Sequence, residues 1–278
     1  MNVRDLVRKY SKQNYNKIDS LNLAAEEIIL SKICLSPLSN HVTIKGGIVM
    51  FALTKGQRSV TKDIDFDFVS FPLNENAIKS FIDSLNKNSD DFKVSIGGVL
   101  VPLKHHDYHG IRVPLLITDT NGDKLSIKID VGVHTNKEIP QHKIEFLKLD
   151  SGRLVVLNAN PPEQIVAEKL VALARIGEKT TRYKDIYDVY FLLVGEMVNN
   201  ELLKEIINLF LENCRLTISE FKNNVHYVLE NKKFEHNFRR AKNQWIKEDY
   251  QTMKKYILNY IDTLDDVCTS VCTVKGLE

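Results

Sequence analysis

The sequence has few cysteines, a single tryptophan, no long apolar run and no marked excess of charge of one sign. The four cysteines are spaced too irregularly for the disulfide framework of a small secreted domain. No apolar run reaches the roughly 18 residues that a membrane-spanning helix requires. These absences exclude a disulfide-stapled scaffold and a membrane-spanning protein, and they favour the reducing cytoplasm. The cysteines are Cys34, Cys214, Cys268 and Cys272.

The overall composition is that of an ordinary soluble globular protein. Of 278 residues, 43% are hydrophobic and 27% are charged, and the net charge is +2. This balance neither requires nor excludes a nucleic-acid partner, because local patches matter more than the sum. The first 15 residues are polar and mixed in charge, which is not the pattern of a secretory signal. At roughly 150 residues per domain, the length predicts two lobes.

The pattern changes near residue 160 from short β-rich runs to helical periodicity. We therefore predict an α/β (α+β) protein with a small mixed β-sheet in a lobe over 1–159 and a helical lobe over 160–278. Asn121-Gly122 is a turn signal that predicts a hairpin. Helices are predicted over 17–35, 48–54, 74–85, 162–177, 184–198, 201–213, 217–230, 233–247 and 249–265. Strands are predicted over 41–45, 63–69, 92–103, 111–118, 125–133 and 154–157.

Three acidic residues alternate in the segment that begins at Asp63. Asp63, Asp65 and Asp67 therefore face one side of a strand, and the apolar residues between them face the other. Carboxylates this close repel, which calls for a raised pKa or a cation. Mg²⁺ binds carboxylate oxygens, and two such ions about 3.5–4 Å apart serve phosphoryl and nucleotidyl transfer. The alternative is a strand with a solvated polar face.

The residues around this strand favour a phosphate-handling site. Gly46 and Gly47 lie between a predicted strand and helix, where backbone N–H groups can hold phosphate. Arg58 is placed to reach the same phosphates as a bidentate donor. Asp130 ends another alternating strand and is predicted as a third metal ligand, beside Asp63 and Asp65.

These segments resemble the first motif of the DNA-polymerase-β-like nucleotidyltransferases. The similarity is carried by Lys45-Gly46-Gly47 and by the run from Arg58 to Phe66 (RSVTKDIDF), and it is strongest to the AbiEii/AbiGii toxin branch. Many members of the superfamily have Gly-Ser before the acids, whereas this sequence has Gly-Gly. The departure removes one hydroxyl contact to phosphate but leaves the carboxylates in place.

Two charged residues fall on the apolar faces of consecutive predicted helices. Lys169 lies within the apolar stripe of the helix over 162–177, and Asp185 lies within that of the next helix, with Asp188 beside it. A long cation can snorkel to solvent, but a Lys and an Asp together predict a buried ion pair or a site.

The same segments resemble the second and third motifs of the toxin family. The similarity runs from Pro162 to Leu170 (PEQIVAEKL), includes Arg175, and continues from Arg182 to Asp188 (RYKDIYD). The resemblance implies that Lys169 and Asp185 are among the essential residues. Arg175, Arg182, Asp188 and Asp67 are expected to support the site.

The resemblance implies a Mg²⁺-dependent transfer of a nucleoside monophosphate from an NTP to an acceptor, with Mn²⁺ as a possible substitute. It also implies a bacterial toxin whose acceptor is a tRNA 3′ end, neutralised by a separately encoded antitoxin. Gly46, Gly47, Arg58 and Lys169 would bind the nucleotide, and the helical lobe would complete the active cleft. A small-molecule nucleotidyltransferase and a non-catalytic nucleotide-binding protein remain alternatives.

Two further groups of residues carry weaker signals. The segment 232–247 interleaves basic and aromatic residues, which predicts either an amphipathic helix with a solvated face or a patch for RNA. Zinc is not expected at the histidines or at the C-terminal cysteines, because no matching ligand set follows at zinc spacing. These residues are His105, His106, His109, Cys268 and Cys272.

Overall fold

The computed structural model describes residues 2–88, 90–104, 109–241 and 244–264. His105, His106, Lys242, Cys268 and Cys272 lie outside them, as does the side chain of His109. The chain divides into two compact units, Met1–Ile165 and Val166–Glu278. The helices are α1 (Val3–Lys12), α2 (Lys17–Leu35), α3 (Gly47–Leu53), α4 (Glu75–Leu85), α5 (Pro162–Ile176), α6 (Tyr183–Val194), α7 (Asn200–Cys214), α8 (Ile218–Glu230), α9 (Lys232–Arg240) and α10 (Tyr250–Asp262). The strands are β1 (Val42–Lys45), β2 (Asp63–Phe68), β3 (Phe92–Ile96), β4 (Val101–Lys104), β5 (His109–Asp119), β6 (Lys124–Val133), β7 (His142–Lys148) and β8 (Leu154–Ala159).

All eight described strands belong to one mixed sheet in the first unit, which confirms the predicted α/β class. The strand order is β3-β5-β6-β2-β1-β8-β7, with β4 also paired to β5. The pairs β2–β6 and β1–β8 are parallel, and the other pairs are antiparallel. The order brings β2 between β1 and β6, so residues distant in sequence become neighbours at the centre of the sheet.

The sheet has more strands than the sequence predicts. One predicted strand, 92–103, is two strands, β3 and β4, which both pair with β5. The chain leaves β3 at Gly97, which lies close to β5: a Cβ on Gly97 would be 3.2 Å from Leu116 Cβ. Strand β7 is not predicted because it is an edge strand with none of its side chains fully buried.

The core of the first unit lies against the apolar face of β2. Ile64, Phe66 and Phe68 are completely buried, as the alternation predicts. The rings of Phe66 and Phe68 lie 5.4 and 5.3 Å from the ring of Phe81 on α4. This packing fixes the orientation of β2 and directs its carboxylates to the opposite face.

The second unit is helical and has an aromatic core. The rings of Tyr187 on α6 and Tyr250 on α10 each lie 4.8 Å from the ring of Phe238 on α9. The Tyr250 hydroxyl donates to the Leu229 carbonyl at 2.7 Å. Burial of these rings supplies much of the apolar contact that holds α6, α9 and α10 together.

Helix α9 ends seven residues earlier than predicted. It stops at Arg240, and Ala241 is extended, with φ −65° and ψ 132°. The side chain of Gln244 donates to the Arg239 carbonyl at 2.9 Å, so a side chain satisfies an end carbonyl in place of a further turn. Among the described helices, none is long and apolar enough to cross a membrane.

Candidate active site

Lys45 and Asp67 form an ion pair beside the acidic face of β2. Lys45 Nζ lies 2.5 Å from Asp67 Oδ1, and both side chains are mostly buried. In the antiparallel β1–β2 register, Lys45 is opposite Asp65 and Thr43 is opposite Asp67. Lys45 therefore compensates Asp67 directly, and its charge also acts on the neighbouring Asp65.

Asp65 and Asp130 are brought together by the parallel pairing of β2 with β6. The register places Asp65 directly beside Asp130 and Ile64 beside Ile129. Burial, followed by the charge of Asp130, raises the pKa of Asp65 to about 7, and the charge of Lys45 opposes this shift. Neighbouring carboxylates with a raised pKa are the donor set that a divalent cation stabilises.

Arg112 on β5 contacts two of these acids, and sequence reasoning missed it. Its Nε and Nη2 donate to the two carboxylate oxygens of Asp130 at 2.7 and 2.6 Å, a bidentate pair. Its Nη2 also lies 3.7 Å from Asp63 Oδ2. The antiparallel register of the β5–β6 hairpin pairs Arg112 with Asp130. Counting outward from Asn121-Gly122 as a two-residue turn would pair Arg112 with Val131. The observed register, in which Thr118 pairs with Lys124, is shifted by one residue, so the turn signal alone does not give the pairing.

Gly46 and Gly47 form a close turn against the acidic strand. Gly46 has φ +71°, and a Cβ on it would lie 2.5 Å from Asp65 Oδ2. A Cβ on Gly47 would lie 2.9 Å from Arg58 Nη1 and 3.1 Å from Thr61 Oγ1. At Gly46 the positive φ and the approach to Asp65 disfavour a side chain, and at Gly47 a Cβ would require Arg58 or Thr61 to shift.

Arg58 is buried beside this turn. Its Nη1 lies 3.5 Å from the Gly47 carbonyl and 3.4 Å from that of Ser59, and its backbone N–H donates to Thr54 Oγ1. The structure thus brings Arg58 and Gly47 together as predicted, but it shows the guanidinium in contact with backbone carbonyls of the loop.

The acids of β2 and β6 fit a divalent cation unequally. Asp63 and Asp65 have carboxylates on the same face, and burial together with the charge of Asp130 raises the pKa of Asp65. Both oxygens of Asp130 already accept from Arg112. Among the described residues, no group of three or more His, Cys, Asp or Glu side chains has the geometry of a formed metal centre. The chemistry of the donors fits Mg²⁺ best at Asp63 and Asp65.

In the second unit, Lys169 on α5 is bound by two aspartates of α6. Its Nζ lies 2.5 Å from Asp185 Oδ1 and 2.9 Å from Asp188 Oδ2. Arg182 adds a contact of 2.9 Å to Asp185. The side chain of Lys169 is 9% exposed and that of Asp188 is completely buried. The predicted ion pair is therefore a four-residue cluster, with Asp188 buried more deeply than Asp185.

Little space remains beside this cluster. A cavity of about 10 Å³, room for about one water molecule, is lined by Lys169, Arg182, Asp185 and Thr180 together with apolar side chains. Arg175 lies in the last turn of α5 with an exposed side chain. The cluster as it stands is nearly closed.

The basic segment that begins at Lys232 is an amphipathic helix over its first nine residues. Phe234 and Phe238 are buried in the aromatic core, so these rings are unavailable for stacking on bases. Arg239 donates to Glu235 at 2.7 and 2.9 Å. What this helix offers to a partner is positive charge rather than an aromatic platform.

The mixed sheet carries carboxylates on neighbouring strands beside a glycine turn, which is the arrangement that the sequence motifs predict. Comparison with known families agrees: residues 28–269 match the family model described as nucleotidyl transferase AbiEii toxin, type IV TA system. The chain belongs to this family. It is therefore a nucleotidyltransferase of toxin type, and the family implies an NTP substrate and a separate antitoxin. No curated protein gives a significant match.

Proposed function

We propose that the protein transfers a nucleoside monophosphate from an NTP to the 3′ end of a tRNA in a Mg²⁺-dependent reaction. The observation that carries the proposal is the register of β2 and β6, which places Asp65 beside Asp130 on the face that also bears Asp63. The burial of Asp65 beside a glycine turn supports the same reaction class.

In this proposal each residue has a defined task. Asp63 and Asp65 hold the divalent cation, and Asp130 contributes through lone pairs that Arg112 does not use. The cation, when bound, stabilises the charge that develops on the phosphoryl oxygens. Gly46 and Gly47 let the triphosphate approach the backbone. Arg112 limits the repulsion between Asp130 and the other two carboxylates.

Other charged residues hold the carboxylates and the glycine turn in position or bind phosphate. Lys45 neutralises Asp67 and keeps it from competing for the cation. Arg58 braces the turn at Gly47. Lys169 binds phosphate, and Asp185, Asp188 and Arg182 hold its ammonium group in place. Arg175, on the same helix as Lys169, adds positive charge at the exposed end of α5.

The proposal is tested by incubating the protein with each of the four α-³²P-labelled NTPs and Mg²⁺. Parallel reactions contain total RNA, purified tRNA or a panel of aminoglycosides. We expect label on RNA of tRNA size and released pyrophosphate. Label on a small molecule alone would instead identify a small-molecule nucleotidyltransferase. NTP binding with no transfer to any acceptor would identify a non-catalytic nucleotide-binding protein.

A further inference from the structure

A second cavity lies in the first unit, on a different part of the fold from the acidic strands. Its volume is about 220 Å³, and its walls come from α1, α2, α3, β7 and the turns after α1 and α3. A cavity of about 150 Å³ already holds benzene in an apolar core, so this one has room for a ring and a short substituent. Two rim residues, Gln13 and Lys55, are exposed and leave it open to solvent.

The walls of this cavity are mainly apolar and aromatic. Rings are contributed by Tyr10, Tyr15, Phe51 and Phe146, and aliphatic side chains fill the spaces between them. Such walls favour the apolar body of a ligand, and the ring faces also attract a cation. The cavity thus has the mixed character of a small-molecule site.

Two adjacent glutamates of α2 line the cavity, and they differ in their partners. Glu27 accepts from Lys9 Nζ at 3.0 and 3.1 Å and from the Tyr10 hydroxyl at 2.6 Å. Lys9 also pairs with Asp150 at 3.0 Å. The charge of Glu27 is therefore compensated by groups that the structure already provides.

Glu26 has no such compensation. It is 4% exposed, and its Oε1 is buried without a hydrogen-bond partner in the structure. Burial raises the pKa of Glu26 well above its ordinary value, and the charge of Asp19 acts in the same direction. An unsatisfied buried carboxyl costs free energy, so a chain that keeps one beside an open cavity gains if a ligand supplies the missing partner.

We infer that this cavity is a binding site for a small organic ammonium ion about the size of benzylamine, with Glu26 as its counter-ion. The ammonium group donates to the Glu26 carboxylate, and the apolar body packs against Phe51 and Phe146. A proton leaves Glu26 for solvent when the cation binds. Lys55, on the exposed rim, is screened by water and does not prevent entry. This site is independent of the proposed transferase reaction.

The experiment uses benzylamine as probe, with benzyl alcohol as its uncharged counterpart, and isothermal titration calorimetry on the full-length protein. We expect benzylamine to bind the wild type and to raise its Tm. Glu26→Gln should weaken benzylamine binding by about tenfold or more, because a charge-assisted contact is lost. Benzyl alcohol should bind weakly and equally to both proteins.

Two variants control for loss of charge and for loss of space. Glu145→Gln removes an exposed carboxylate of β7 outside the cavity and should leave benzylamine binding unchanged. Ala52→Leu fills part of the cavity and should weaken binding of both probes. The inference is overturned if benzylamine fails to bind the wild type, or if it binds Glu26→Gln as tightly. In the first case the cavity holds only water, and in the second Glu26 is not the counter-ion of the bound ammonium group.

Discussion

Arg112 changes the account of the acidic strands that the sequence alone suggests. Three carboxylates near one another predict a site that depends wholly on added cations. The structure shows instead that the protein supplies one cation itself, through the bidentate contact of Arg112 with Asp130. Arg112 therefore compensates Asp130 directly and Asp63 more weakly, across 3.7 Å.

This arrangement predicts that Arg112 weakens metal binding. Arg112→Gln should increase the affinity for Mn²⁺, used as a spectroscopic substitute for Mg²⁺, because Asp130 then adds its full charge. The expected increase is about fivefold, since a partly exposed charge interaction is worth up to about 1 kcal/mol. Titration followed by electron paramagnetic resonance measures it. Arg153→Gln, a change at an exposed arginine, is the control. An unchanged or lower affinity in Arg112→Gln would contradict the assigned role.

Glu26 makes a pH-dependent contribution to stability whose sign follows from its raised pKa. Above the ordinary value of 4.5, this carboxyl is ionised in the unfolded chain but protonated in the folded one, so rising pH destabilises the fold. Glu26→Gln removes the ionisable group, so the variant does not lose this stability as the pH rises. The Tm of the variant minus that of the wild type should be smallest near pH 4.5 and should grow towards pH 8. The growth should be about 2–4 °C for each kcal/mol of unfolding free energy that the wild type loses. A constant difference across this range would disprove the assignment.

The sequence predicts which residues of the site carry charge, but not which charges meet. The alternation of Asp63, Asp65 and Asp67 identified one face of a strand. That Asp67 pairs with Lys45 while Asp65 lies beside Asp130 depends on the strand order, which a single sequence does not contain. Glu26 was missed for another reason: on a helix rich in Ala, Ile and Leu, only packing shows which polar side chain is buried.

Helices α5 and α6 are joined by charge as well as by apolar contact. Lys169→Ala would leave Asp185 and Asp188 close together without their shared ammonium group. Removing one partner of a buried ion pair costs about 3–5 kcal/mol, so we expect a loss of this size in urea unfolding. Lys169→Arg keeps the positive charge and should lose less of the unfolding free energy.

The same variant tests the proposed phosphate contact of Lys169 when activity is measured well below its Tm. We expect folded Lys169→Ala to have lost most of its transfer activity. Wild-type turnover in folded Lys169→Ala would contradict the phosphate role, and wild-type stability would contradict the ion cluster. Urea unfolding thus reports the structural role of Lys169 in the ion cluster, and transfer activity reports its contact with substrate.

Helix α9 offers RNA a charged face only. Arg239→Gln combined with Arg240→Gln should weaken tRNA binding and lower the slope of log affinity against log salt by about 0.7 to 0.9 for each lost phosphate contact. Glutamine is used because glutamate at 239 would repel Glu235. Lys254→Gln with Lys255→Gln on α10 is the control pair. Unchanged affinity and slope in the α9 variant would mean that this helix is only a solvated surface.

The elements that the sequence predicted well are those whose periodicity is set by burial. Helix α2 has the predicted bounds, and β1, β2, β5 and β6 agree with prediction to within two residues. Helix α1 has only Val3 and Leu6 buried, and β7 lies at an edge, so neither has enough buried positions to produce a clear pattern. The shorter α9 reflects the capping contact of Gln244, which periodicity does not report.

At the scale of the whole molecule, the family match and the fold agree. The match extends over both compact units, from residue 28 to residue 269, whereas the motifs recognised in the sequence extend only to about residue 190. The later helices carry an aromatic core rather than chemistry-bearing motifs. Their positions are constrained by packing, which tolerates many sequences, so the sequence there gives little functional information.

The central claim is that the carboxylates of β2 catalyse nucleotidyl transfer. The most direct measurement compares ³²P transfer from labelled NTPs to tRNA by the wild type, Asp65→Asn and Asp83→Asn, the last an exposed acid on α4. Circular dichroism confirms that each protein is folded. The account predicts full transfer by the wild type and Asp83→Asn and none by folded Asp65→Asn. Transfer by Asp65→Asn at the wild-type rate would contradict it.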